Sequence, residues 1–118
     1  MNTKIELTYQ GSKYTLEYDR KTVVALENTG FRLDEFLEKP MASIDDAFKM
    51  AFLKNHPNVL SRTVQEIFEH CPDKSNLIST LYKMISETYD SLLADPEDDE
   101  GNASWVTVDL SPEKTNQK

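Results

Sequence analysis

KIELTYQGSKYTLEY, residues 4–18, is the stretch on which the fold turns. Ile5, Leu7 and Tyr9 alternate with Lys4, Glu6 and Thr8, and Tyr14, Leu16 and Tyr18 alternate with Thr15 and Glu17. A period of two is what a sheet with one buried and one wet face requires. Gly11-Ser12 lies between the two runs, and glycine at the first central position predicts a two-residue type II′ turn. That loop sets Tyr9 opposite Tyr14, Leu7 opposite Leu16 and Ile5 opposite Tyr18. It also sets Glu6 against Glu17, a repulsion that only water or a nearby cation relieves. The expectation is an antiparallel hairpin whose polar face is exposed.

Downstream of the hairpin the period changes to that of helices. Asp19 is placed to cap a helix from Arg20 to about Thr29, with Val23, Leu26 and, as a third candidate, Val24 turned inward and Gly30 as a left-handed stop. Arg20 and Lys21 oppose the dipole of that helix start, which suggests either a small anion or acidic-partner contact, or pairing with Glu17 or Glu38. Phe31, Leu33, Phe36 and Leu37 form a short apolar segment that Pro40 ends. Ser43 and Asp46 resemble a capping box, and Ile44, Ala47, Phe48, Ala51 and Phe52 recur at helical spacing up to Asn55-His56-Pro57. From Asn58 a further helix carries Leu60, Val64, Ile67, Phe68 and Cys71 to Pro72. Asp73 or Ser75 caps the longest helix, which runs to about Leu93.

That longest helix is apolar around too much of its circumference. Leu77, Ile78, Leu81, Tyr82, Met84, Ile85, Tyr89, Leu92 and Leu93 do not fit one stripe about 100° wide. Either the hairpin covers one flank and the other helices the opposite one, or part of the surface awaits an oligomer or a client. Each large side chain left in water forgoes roughly 1.5–3 kcal/mol of burial.

Beyond Leu93 the acidic run DPEDDE, residues 95–100, and Gly101 break the helix and predict a solvated linker. Trp105-Val106-Thr107-Val108-Asp109-Leu110 follows, a short β-prone segment of the kind that adds a strand to a sheet edge of its own domain or of a partner. A hairpin alone is marginal in water, so it is expected to lean on the helices, to be joined by this segment, or to pair across an oligomer. The organisation expected is therefore a hairpin-plus-helix domain over residues 1–94, then an acidic linker and Trp-containing tail over residues 95–118. The fold class is α+β, with an N-terminal antiparallel hairpin, about four helices and a strand-like tail.

Composition narrows the function. With 118 residues one modest core is the working assumption. A net charge of −8, with thirteen scattered Lys and Arg, points away from phosphate-rich nucleic acid as a partner. No apolar run approaches the roughly 18 residues of a membrane span, and the first residues lack a secretory layout, so a cytoplasmic protein is expected. The lone cysteine, Cys71, forms no internal disulfide; His56 and His70 are the only histidines, and no zinc-like ligand spacing exists. Gly11, Gly30 and Gly101 lie too far apart to cradle phosphate. Neither a metal, a cofactor nor a catalytic reaction is expected. Leu81, Tyr82, Tyr89, Leu92 and Trp105 are the residues expected to touch a partner.

The hairpin with its continuation YDRKTV (residues 18–23), the stretch KPMASIDDAFKMAFLKNHP (residues 39–57) and the ending LLADPEDDEGNASW (residues 92–105) carry a resemblance. Over residues 3–105 the chain resembles a family of small phage and prophage proteins of Gram-positive bacteria related to tail assembly chaperones of long-tailed phages. The resemblance implies a chaperone that keeps the tape measure protein soluble and helps tail tube subunits assemble around it, often as an oligomer. It implies action in the cytoplasm of the bacterial host and absence from the mature virion. Two other readings fit a small acidic protein: a phage regulator that binds a host protein, and a structural tail or connector subunit.

Overall fold

A computed structural model describes residues 3–94. The acidic linker and the strand-like tail expected over residues 95–118 lie outside the described residues. Two strands, β1 (Ile5–Tyr9) and β2 (Ser12–Leu16), are followed by five helices: α1 (Arg20–Glu27), α2 (Leu33–Phe36), α3 (Pro40–Leu53), α4 (Ser61–His70) and α5 (Lys74–Leu93). The architecture is α+β, as the periodicities require; the fifth helix is the single turn α2. Among the described residues no helix is long and apolar enough to cross a membrane.

The hairpin forms, but its turn sits one residue earlier than glycine alone suggests. Gln10 (φ 52°) and Gly11 (φ 82°) are both left-handed, the signature of a type I′ turn, whose twist matches that of the flanking strands. The register is therefore Tyr9↔Ser12, Leu7↔Tyr14 and Ile5↔Leu16. Because the pairing slips by two and not by one, every side chain keeps its expected face. The anticipated clash of Glu6 with Glu17 disappears, since Glu6 stands opposite Thr15.

Asp19 caps α1 as expected. Its carboxylate accepts from the Thr22 N–H at 2.9 Å while the Thr22 hydroxyl accepts from the Asp19 N–H at 2.8 Å, a reciprocal capping box. Val23 and Leu26 are buried as expected, whereas the third candidate, Val24, is exposed, because a residue two positions before Leu26 stands nearly opposite it around the helix. Pro40 does not merely end the preceding segment; it opens α3 from its first turn, where its missing N–H costs nothing and its fixed φ favours the helix. The Ser43 start is thus overtaken by three residues. Likewise α4 begins at Ser61, so Leu60 is the residue before the helix and points to solvent. Asp73, in the left-handed region at φ 51°, caps α5 by accepting from the Asn76 N–H at 3.2 Å.

α3 occupies the centre, packing against α1, α2, α4, α5 and β2. Its stripe Ile44, Ala47, Phe48, Ala51 and Phe52 is entirely buried. Phe48 meets Phe52 and Phe68 edge-on, and Tyr14 stands edge-on to Phe52, the geometry that ring quadrupoles prefer. The alanines matter as much as the rings. At Ala47 and Ala51 the absence of bulk lets the chain after β2 lie against the helix: the Tyr18 hydroxyl donates to the Ala47 carbonyl at 2.7 Å, and the Glu17 N–H donates to the Ala51 carbonyl at 2.9 Å. Burial pushes the Tyr18 phenol far above its ordinary range, so the hydroxyl stays a donor.

Phe52→Ala, which opens a cavity where α3 meets the hairpin, is expected to cost about 3–5 kcal/mol. Tyr18→Phe, which removes one buried hydrogen bond and keeps the ring, is expected to cost about 1 kcal/mol. Urea denaturation of the two variants checks both the order and the gap.

Candidate partner-binding surface

Besides its junction with α3, the hairpin meets α5 and the residues just before it. The Tyr9 ring lies 5.5 Å from that of His70, just before α5 begins; Ile5 and Leu7 share a cleft of about 250 Å³ with Cys71, Asn76, Leu77 and Thr80; and Thr3 reaches Glu87. The Thr3 N–H and hydroxyl donate to the two Glu87 oxygens at 2.6 and 3.0 Å. β1 and α5 thus run side by side in opposite directions. The bond from the Thr3 N–H, opposed by partial burial, holds the Glu87 carboxyl below its usual range.

Most of the excess apolar surface of α5 is consumed inside the domain. Leu77, Leu81, Met84 and Ile85 are buried, as is Thr88, whose hydroxyl donates to the Met84 carbonyl at 2.9 Å. Leu81 is fully buried and belongs to the core; a partner does not reach it in this structure. Tyr82 is half-buried against the core. Tyr89 is also half-buried, and its hydroxyl donates to Glu27 Oε2 at 2.7 Å, tying α5 to the end of α1. Desolvation first, and then the Glu27 carboxylate, push the Tyr89 phenol up to about 12. Leu92 is 43% exposed and Leu93 80% exposed. Trp105 lies outside the described residues.

Leu92 and Leu93 thus leave adjacent apolar surface exposed at the end of α5, while Val24, Leu37, Met41 and Leu60 are exposed elsewhere. Leu92 and Leu93 stand three and four residues after Tyr89 and continue its face. On α1, Val24 is 47% exposed and precedes Glu27 by three residues, so the helix faces joined by the Tyr89–Glu27 bond both carry bare apolar side chains. Leu37 and Met41 are exposed at the α2–α3 corner, and α2 also packs against α5. Arg20 and Lys21 are exposed beside Val24, and neither forms an ion pair among the described residues. Glu17 is engaged instead by Lys54, at 3.4 Å.

Several of the remaining polar side chains are bonded within the domain. Between α3 and α4 a cleft of about 470 Å³ carries Asp45, Asp46 and Glu69, and Lys49 reaches across it to donate to the Ser61 hydroxyl at 2.7 Å. Among the described residues no three His, Cys, Asp or Glu side chains gather closely enough to hold a metal ion. Cys71 is half-buried, and burial pushes its thiol up while the Lys74 ammonium offsets this only in part, which disfavours the nucleophilic thiolate. His70 Nδ1 lies 2.8 Å from the Glu66 carbonyl oxygen, and His56 Nε2 accepts from the Thr15 N–H at 3.0 Å. Both rings are thereby occupied by backbone. The role of Asn55 and His56 as partners of β2 was not visible in the sequence, where Asn55-His56-Pro57 reads only as a helix stop.

A family model described as Domain of unknown function (DUF5055) matches residues 1–110. The chain belongs to the DUF5055 family. The DUF5055 match takes in the hairpin, all five helices and the segment through Leu110. Neither the curated proteins nor the solved structures compared with the chain contain a match.

Replacing core and surface leucines of α5 separates their roles. Leu81→Ala is expected to cost about 2–5 kcal/mol, and Leu93→Ala to stay within about 0.5 kcal/mol of the parent. Thermal denaturation of both variants provides the check.

Proposed function

We propose that this DUF5055 chain is a phage tail assembly chaperone that binds the tape measure protein, tail tube subunits or both, without catalysing a reaction. The observation that carries the reading is the pair Leu92 and Leu93, bare at the end of a helix whose other large apolar side chains are buried or half-buried, and followed at once by the acidic run of residues 95–100. An aggregation-prone helical client offers apolar side chains that cover such a patch, and the dense negative charge beside it keeps the complex in solution. The resemblance of residues 3–105 to the chaperone-related family supports the same role. Contact falls to Leu92 and Leu93, with Tyr82 and Tyr89 at the margin of the patch and Trp105 beyond the acidic run. The protein acts in the cytoplasm of the bacterial host, as a monomer or a homo-oligomer, and leaves before the virion is complete.

Affinity capture of the tagged full chain from phage-producing cells, with mass spectrometry of the captured proteins, tests this reading. The expected catch is a very long helical phage protein, reduced at least tenfold when Leu92→Asp and Leu93→Asp are combined. Capture of a host nucleic-acid-binding protein with no phage client points to the regulator instead, and finding the chain in purified virions points to a structural subunit.

A further inference from the structure

The hairpin has two outer edges, and the described residues close one of them. In an antiparallel pair, successive residues turn their N–H and C=O alternately toward the partner strand and away from it. The two-residue turn and the register Tyr9↔Ser12, Leu7↔Tyr14, Ile5↔Leu16 place the groups of Thr15 and Glu17 on the outer side of β2. There the Thr15 N–H donates to His56 Nε2 at 3.0 Å, the Thr15 carbonyl accepts from Asn55 Nδ2 at 3.2 Å, and the Glu17 N–H donates to the Ala51 carbonyl at 2.9 Å. The same alternation turns Glu6 and Thr8 outward from β1. Among the described residues no backbone or side-chain group meets them.

The side chains of β1 show the same asymmetry. Ile5, Leu7 and Tyr9 are all half-buried, whereas Leu16 on the neighbouring strand is fully buried. Beside Ile5 and Leu7 lies the cleft shared with the first turns of α5. An edge strand with open hydrogen bonds and a half-covered apolar side is a template for one more strand.

We propose that residues 105–110 of this same chain supply that strand, pairing with the outer edge of β1. Their sequence alternates in the required way: Val106, Val108 and Leu110 form one apolar row, and Trp105, Thr107 and Asp109 form the other. The apolar row extends Ile5, Leu7 and Tyr9 into the cleft, which leaves Trp105 on the wet face with Glu6 and Thr8. The tether also fits. Thr3 is bonded to Glu87, and Leu93 follows six residues later, about 9 Å along the helix axis. The ten residues 95–104 span up to about 33 Å, against about 17 Å for a five-residue strand. Because α5 ends at the Thr3 end of β1, a strand entering directly runs parallel to β1. A tether of this kind holds its segment at an effective concentration in the millimolar range, which favours the chain's own tail over a second copy. The family match points the same way, since it runs through residue 110 and stops before the polar end of the chain.

Amide hydrogen exchange by NMR on the full-length chain tests the proposal, whichever partner the protein serves. The Glu6 and Thr8 amides are expected to exchange at least tenfold more slowly in the parent than in a Val106→Asp, Val108→Asp variant, with Thr15 and Glu17 equally protected in both. Equal exchange of Glu6 and Thr8 in the two chains overturns the proposal; so does protection that survives the substitutions and rises with protein concentration, which assigns the edge to a second copy. Thr8→Pro gives the reciprocal test, because proline removes an outward N–H while the ladder to β2 stays intact. The Val106 and Val108 amides then lose their protection while Leu7 and Tyr9 keep theirs. Unchanged exchange at Val106 and Val108 overturns the proposal as well.

Discussion

The last four carbonyls of a helix have no donor within the helix, and at the end of α3 the hairpin provides one. The Ala51 carbonyl accepts from the Glu17 N–H, while Phe52's accepts from His56 two residues past the helix cap. Asn55 and His56 then return the service, bonding the Thr15 carbonyl and N–H on the outer side of β2. A strand edge and a helix end, each short of partners alone, satisfy one another. A two-stranded hairpin is marginal in water by itself, so this junction and the buried Leu16 and Tyr18 are what hold it to the helices.

From that junction the rest of the arrangement follows. With β2 fastened along its outer side, β1 becomes the free flank, tied at its start by Thr3 to Glu87 and along its apolar face by Ile5, Leu7 and Tyr9. α3, held from one side by the hairpin, packs α1, α2, α4 and α5 about the same stripe of two alanines, two phenylalanines and Ile44. α5 then has little bare apolar surface except at its end. The open β1 edge and the exposed Leu92 and Leu93 both follow from how the core closes.

Features carried by local pattern were legible in the sequence. The hairpin, the Asp19 cap and the buried stripe of α3 each depend on residues within a few positions of one another. Features that depend on distant chain were not. The turn falls at Gln10-Gly11 because a type I′ turn matches strand twist as well as a type II′ turn does, so a lone glycine does not fix which central position it takes. Leu81 looked like a contact residue because periodicity shows that α5 has too many apolar faces without showing which are covered; its complete burial is decided by helices far away in sequence. Leu92 was legible as exposed surface because it sits at the edge of the pattern. Asn55 and His56 carry no local mark of their role, since the strand they bond lies about forty residues earlier.

The Glu17 carboxylate reports most directly on the junction. It accepts from Asn55 Nδ2 at 2.9 Å and pairs with Lys54 at 3.4 Å, and the Asn55 bond, ahead of the opposing burial and the Lys54 contribution, lowers its pKa from the ordinary 4.5. Such a group stabilises the fold at pH above its unfolded value and loses that contribution as pH falls through the folded one. The measurement to make is the NMR titration of the Glu17 side-chain carboxyl in the folded chain. The junction predicts a midpoint below 4.5 that returns toward it in Asn55→Ala. A midpoint at or above 4.5 in the parent, unmoved by Asn55→Ala, contradicts the junction and with it the account of how the hairpin is held.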